Sequence, residues 1–471
     1  MGQPGEQLLN GDDARALAAG LQRLVRAAAA IVDAEHPASA LIARVTGHLG
    51  AELQDLVLVA QDFPPWEHVN VDRGIDAYLA ERGGGHEWFG ISGANRTNEE
   101  LIAMLTTARR HGTYELGAVD YRTEATGPET TENVVQLGLA DTTAPDGTPV
   151  IIAQRGPIAQ HGPSAVARFE VISADRAAAG AVRDRVERLI RANDVLRGQV
   201  LAFGSSEYRG NELLTFLPCP ELKASDVVLP DGVLPSIERH TIGIAGHAER
   251  LRAAGQHLKR GLLLHGPPGT GKTHTLRYLM GRLPENTVII LTGGAMRFIS
   301  KAAELARRLQ PSLLVLEDVD LVAQDRSHGQ GTNPLLFSLL DAMDGIGADA
   351  DVTFVLTTNR AAELEKALAD RPGRVDLAVE IPKPDAAGRR ELIELYGRNV
   401  DLRADLEPVV AQTDGVTASY IKELLRRAVL HQMHREVAGD PVPVDDAALA
   451  EALREMNESH NSLTRSLLGS R

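Results

Sequence analysis

Apolar positions in the first two hundred residues recur at two different periods. Leu17, Leu21, Leu24, Val25 and Ile31 fall on one helical face. Thr97-Asn98-Glu99-Glu100 precedes Leu101, Ile102 and Leu105, the pattern of a capping box opening a helix. Val134–Leu139 and Val150–Ala153 read as strands with Pro145-Asp146-Gly147-Thr148 as the turn between them. Phe169–Ile172 reads as another strand. A charged helix over 176–191 carries Val182, Val186 and Ile190 on one stripe. Gly83-Gly84-Gly85-His86-Glu87-Trp88 reads as a flexible polar loop. These elements predict an α+β domain over 1–203, and nothing in it names a chemistry.

The texture then changes. Gly204-Ser205-Ser206, Pro218-Cys219-Pro220, Pro230-Asp231-Gly232 and Pro235 break regular structure repeatedly, so 204–236 reads as a linker. Beyond it come near-continuous apolar runs of strand length: Gly261–His265, Val288–Leu291, Leu313–Leu316, Phe354–Thr357 and Leu377–Ile381. Parallel strands covered on both faces have this composition. Helical patterns separate them, which predicts an α/β doubly wound parallel sheet over 237–383. A helical region follows over 384–458, then a polar tail over 459–471.

Composition narrows the function classes. Of 471 residues, 49 are Lys or Arg and 64 are Asp or Glu, a net charge of −15. A dense positive face for nucleic acid is therefore not expected, although a local basic pore remains compatible. Aromatic residues are 4% of the chain, too few for a large base-stacking surface. Cys219 is the only cysteine, so no disulfide can form within the chain and no cysteine-built zinc site is available. No apolar run approaches the ~20 residues of a membrane helix. No signal-like N-terminus stands out, and a cytoplasmic location is expected.

The sharpest chemical signal is Gly266-Pro267-Pro268-Gly269-Thr270-Gly271-Lys272-Thr273, with His274 next. It matches G-x-x-x-x-G-K-T, and the apolar strand Leu262-Leu263-Leu264 runs into it while a helical pattern leaves it. Such a loop closes backbone N–H groups around phosphate at a helix N-terminus. Lys272 reaches the outer phosphates, and Thr273 supplies a hydroxyl ligand for Mg²⁺. The second signal is Leu313–Leu316 ending in Glu317-Asp318, carboxylates placed to hold magnesium and to orient water. The third is Phe354–Thr358 ending in Asn359, an amide able to hold that water or to cap the following helix. The fourth is Arg371-Pro372-Gly373-Arg374, two guanidinium groups flanking a rigid turn.

In this order, the four elements resemble the AAA family, the protein-remodelling branch of P-loop ATPases. GPPGTGKT, LLVLEDVD, LLDAMDGI, TTNRAAELEKAL and RPGRVDLAVEIPKPD carry the resemblance over about 236–455. It implies a five-stranded α/β core with a C-terminal helical lid, ATP and Mg²⁺ as ligands, and a ring, usually hexameric, with nucleotide at each subunit interface. It also implies that Asn359 is the fourth-strand sensor, that Arg371 and Arg374 act on the adjacent subunit, and that Asp344-Gly345 carries the signalling turn.

This sequence departs from the family pattern in several places. Most members write Asp-Glu where this chain has Glu317-Asp318, although some carry the reversed order. By position, Glu317 belongs to the Mg²⁺ shell and Asp318 polarises the water. Phe298-Ile299-Ser300 is the one candidate for an aromatic pore loop, with packing of Phe298 as the alternative. Thr417-Ala418-Ser419 stands where the lid usually has Ser-Gly-Ala, and Thr241-Ile242-Gly243 is the candidate base-contacting segment. The resulting expectation is an ATP-hydrolysing homo-hexamer that remodels proteins, recruiting a substrate or adaptor through its N-terminal domain. A nucleotide-switched scaffold and a nucleic-acid motor are the alternatives. No H-E-x-x-H motif occurs, so no attached zinc protease is expected.

Overall fold

A computed structural model describes residues 16–24, 27, 39–83, 86–94, 96, 99–111, 113–158, 165–205, 212–320, 334–360, 374–435 and 440–458. The chain forms two compact units, with the change from one to the other between Val195 and Leu196.

The first unit is built on an antiparallel sheet. Its strands are β1 (Val57–Phe63), β2 (Trp88–Ser92), β3 (Glu115–Gly117), β4 (Asp120–Ala125), β5 (Thr131–Thr143), β6 (Pro149–Arg155) and β7 (Ala167–Ser173). The order across the sheet is β1-β7-β6-β5-β2-β3, with β4 also pairing with β5. Helices α1 (Ala40–Leu49) and α3 (Leu101–His111) cover one face; α2 (His68–Glu81) and α4 (Arg176–Ala192) cover the other. Alternation along β6 explains the layering. Ile151 and Ala153 join the α1/α3 core, while Val150 and Ile152 join the α2/α4 core.

The turn at 145–148 closes through Ala144 N donating to Thr148 O at 2.8 Å, with Gly147 at φ 92°. Asp175 caps α4, its side chain accepting from Ala177 N at 2.7 Å. Trp88, expected in a loop, begins β2. In the helical stretch 16–24, Leu17, Leu21 and Leu24 are exposed; Val25 and Ile31 lie outside the described residues, as do Thr97 and Asn98 of the capping box.

The second unit holds β8 (Val200–Ser205), β9 (Glu212–Leu217), β10 (Arg260–His265), β11 (Thr287–Thr292), β12 (Ser312–Glu317), β13 (Val352–Thr358) and β14 (Leu377–Glu380) in one sheet. The order is β14-β10-β13-β12-β11-β8-β9, parallel except for the β8–β9 pair. Two strands thus fall where the sequence reads as the end of one domain and a linker. Val200 and Leu201 pair with Val288 and Ile289 on β11, and Val200, Leu201 and Phe203 are buried. Gly204 and Ser205 lie within β8, paired with Leu213 and Glu212, and Pro218 follows directly after β9.

The connection order reverses around β10, which lies between β13 and β14. In open α/β sheets a crevice opens at the carboxyl ends of the strands beside such a reversal. Beyond β14, α5 (Ala386–Tyr396), α6 (Leu406–Gln412), α7 (Ala418–His434) and α8 (Asp446–Glu458) share a separate apolar core around Ile393, Ile421, Leu424 and Leu449.

In the first unit, Gly74 lies mid-α2, where an added Cβ would stand 2.3 Å from Ile190 Cγ1 and 3.0 Å from Ile190 N on α4. Gly74→Val therefore wedges the two helices apart. It should destabilise this unit by about 1–3 kcal/mol, read as a lowered midpoint of its calorimetric transition.

Candidate functional site

Three strand ends meet at the crevice. The loop Gly266–Gly271 leaves β10 and enters the helix Lys272–Arg282. Its shape requires glycine: Gly266, Gly269 and Gly271 have φ of 143°, 77° and 112°. At Gly266 an added Cβ would fall 2.2 Å from Ile381 O. Thr270 is buried and its hydroxyl donates to Pro267 O at 2.9 Å, which fixes the loop from within. Pro268 and Gly269 are exposed at the rim, as is Thr273.

Lys272 is 6% exposed, and its ammonium has three acceptors: Gly266 O at 2.8 Å, Pro267 O at 2.9 Å and Asn359 Oδ1 at 2.7 Å. Burial pulls its pKa below the usual lysine value, opposed by the carboxylates of Asp318 and Asp320. Asn359, at the end of β13, also faces Asp318, with Nδ2 3.4 Å from Oδ1. Lys272, Asp318 and Asn359 are thus in one connected cluster.

Asp318 is the one described non-glycine residue with positive φ, at 53°. Its amide donates to Thr357 Oγ1 at 2.9 Å and Val319 N donates to Thr357 O at 3.0 Å, which pins this left-handed turn at the end of β12. Asp and Asn enter that region more readily than longer side chains. The reversed Glu317-Asp318 order thereby acquires a local reason.

Other expected residues take positions that the sequence left unspecified. His274 Nε2 donates to Asp226 O at 2.7 Å, tying the phosphate-loop helix to segment 224–228. Val228 in that segment packs against the C-terminal helical core. Thr241, in the expected base-contacting segment, is buried, with its hydroxyl on Ile237 O at 2.8 Å. Ser419 N donates to Gly269 O at 3.1 Å, so Thr417-Ala418-Ser419 does approach the phosphate loop. Phe298 is half-buried, 6.0 Å from the ring of Phe203 with the Arg297 guanidinium over it, and packs rather than projecting.

Arg374 differs from the expectation of a guanidinium presented to a neighbour. It is 2% exposed and forked onto Asp344 of its own chain, with Nε 2.9 Å from Oδ1. Arg371 lies outside the described residues. A third acid, Asp320, carries no signal in the sequence beyond its place two residues after Asp318. It is buried, and Oδ1 accepts from Thr358 Oγ1 and Asn359 N, each at 3.1 Å.

The helix that starts at Lys272 has no side-chain cap, so its first N–H groups remain available to an anion. Among the described residues no group of three or more His, Cys, Asp or Glu could hold a metal. Thr273 and Glu317 are the two expected protein ligands, a set suited to Mg²⁺ that takes its other ligands from phosphate and water.

Comparison with known proteins places the segment that carries this arrangement in a family. The family described as "ATPase family associated with various cellular activities (AAA)" matches residues 262–383. The chain carries an AAA ATPase domain. Among its relatives, the proteasome-activating nucleotidase of Methanosphaerula palustris is 31% identical over 199 residues, covering 38% of this chain and 47% of the relative. The cell division cycle protein 48 homolog of Archaeoglobus fulgidus is 28% identical over 226 residues, 44% of this chain and 31% of the relative. The ATP-dependent zinc metalloprotease FtsH 2 of Symbiobacterium thermophilum is 31% identical over 227 residues, 45% of this chain and 38% of the relative. The chain thus spans less than half the length of each. No helix among the described residues is long and apolar enough to cross a membrane.

If the AAA domain grips nucleotide through Lys272, Mg·ATP at a hundred times its Kd should stabilise the second unit by about 2.7 kcal/mol. Thermal unfolding with and without Mg·ATP reads this directly, and Lys272→Ala should remove the shift.

Proposed function

We propose that this chain is a magnesium-dependent ATP hydrolase that works as an oligomer, a homo-hexamer by family habit, to remodel proteins. The observation that carries the reading is the convergence of Lys272, Asp318 and Asn359 beyond the carboxyl ends of β10, β12 and β13 respectively. It is supported by the AAA match and by relatives named for proteasome activation and cell division. Bound Mg·ATP supplies the phosphoryl group and the counter-charge.

The protein's own residues divide the remaining work. The uncapped helix N-terminus and the amides of Gly269–Thr273 bind the phosphates, while Lys272 exchanges its carbonyl partners for phosphate oxygens. Thr273 and Glu317 hold Mg²⁺. Asp318 accepts the proton of the attacking water at a carboxylate oxygen, and Asn359 orients that water. Segment 226–228, held by His274, lines the base, and Ser419 closes the C-terminal helices over the loop as a lid. Arg371 of the adjacent protomer completes the pocket. Arg374 is bound to Asp344 and so to the signalling turn. The N-terminal unit recruits the substrate or adaptor, in a cytoplasmic setting.

Steady-state phosphate release tests the assignment. Asp318→Asn should lower kcat by on the order of 100-fold or more while ATP still binds. Arg371→Ala chains mixed with Lys272→Ala chains should regain turnover that neither shows alone, because each mixed interface can pair an intact loop with an intact arginine. Unchanged turnover in Asp318→Asn would remove Asp318 from the chemistry. A mixture as inactive as its parts would remove the arginine acting across the interface.

A further inference from the structure

Asn359 can hold Lys272 and face Asp318 only if its main chain is fixed. On the β12 side the ladder ends at the Leu316–Leu356 pair, and on the β10 side it ends at His265–Thr358, one residue short of Asn359. On the β12 side three successive residues after the strand clamp the chain further. Asp318 N and Val319 N hold Thr357, and then Asp320 holds the next two positions. Its Oδ1 accepts from Thr358 Oγ1 and from Asn359 N, each at 3.1 Å. Thr358 Oγ1 in turn accepts from Arg360 N at 3.0 Å, so the same hydroxyl bends the chain away from the strand. Asp320 is 6% exposed, and water is a poor substitute for it there.

We propose that Asp320 is a positioning residue for ATP hydrolysis. It touches neither nucleotide nor water, and it acts by fixing the backbone amide of Asn359 so that the side-chain amide meets Lys272 and Asp318. This rests on the ATPase reading above. What the position requires is an acceptor oxygen at Oδ1, and the negative charge is secondary. Asparagine keeps such an oxygen and alanine does not. A side-chain amide displaced by about 1 Å costs on the order of 100-fold in rate.

The test uses the full chain, with kcat and KM for Mg·ATP and nucleotide affinity measured for each variant. Asp320→Ala should lower kcat ~10- to 100-fold while KM and ATP affinity stay within about threefold. Asp320→Asn should restore most of that loss. In an Asn359→Ala background, Asp320→Ala should cost nothing more, because the group it positions is gone. A wild-type kcat in Asp320→Ala overturns the proposal, as does full additivity with Asn359→Ala. An Asp320→Asn chain as slow as Asp320→Ala also overturns it, since charge would then be what matters. If Asp320→Ala does not fold, Thr358→Val and Asp320→Asn carry the comparison, with a lowered kcat at constant KM expected for the first only. A wild-type chain no faster than Lys272→Ala would instead remove the ATPase reading itself, and the role of Asp320 with it.

Discussion

The buried ammonium of Lys272 constrains everything around it. A lysine that is 6% exposed must have its protons accepted, and this one has them accepted by two loop carbonyls and one side-chain amide. The carbonyls exist in that place because Gly266, Gly269 and Gly271 allow a left-handed path. The amide exists there because β13 runs parallel between β10 and β12 and ends at the same level. The loop, the sheet order and the position of Asn359 are thus three parts of one solution to a desolvation problem. In the proposed mechanism, phosphate oxygens replace the carbonyls, so the loop is already shaped around the charge it will deliver.

Much of this was legible in the sequence because it is local. A phosphate loop is eight consecutive residues between a strand and a helix, and its spacing cannot be rearranged by packing. Four of the five apolar runs were legible because strands covered on both faces have no polar alternation to confuse them, while the fifth became the edge strand β14, which alternates half-buried with exposed positions. The turn at 145–148 followed from Asp146 and Gly147 for similarly local reasons.

What was not legible depends on contacts distant in sequence. β8 joins the ATPase sheet by pairing Val200 with Val288, and only the fold brings those residues together. Segment 226–228 reads as part of a broken linker until His274 is seen to hold the carbonyl of Asp226. Arg374 reads as an exposed guanidinium until Asp344 is found beneath it. Asp320 reads as one more acid in a row of three, and its function depends on where Thr358 and Asn359 end up. In each case the residue type was visible and its partner was not. The left-handed backbone at Asp318 belongs with these, because a φ of 53° follows from the Thr357 contacts rather than from the residue alone.

A structure of the chain with magnesium and a non-hydrolysable ATP analogue tests the central claim most directly. The account predicts that Lys272 Nζ leaves Gly266 O and Pro267 O for phosphate oxygens, with the amides of 269–273 around those phosphates and the Asp320–Asn359 contact intact. Nucleotide bound elsewhere, or bound here with Lys272 still on its carbonyls, would contradict it.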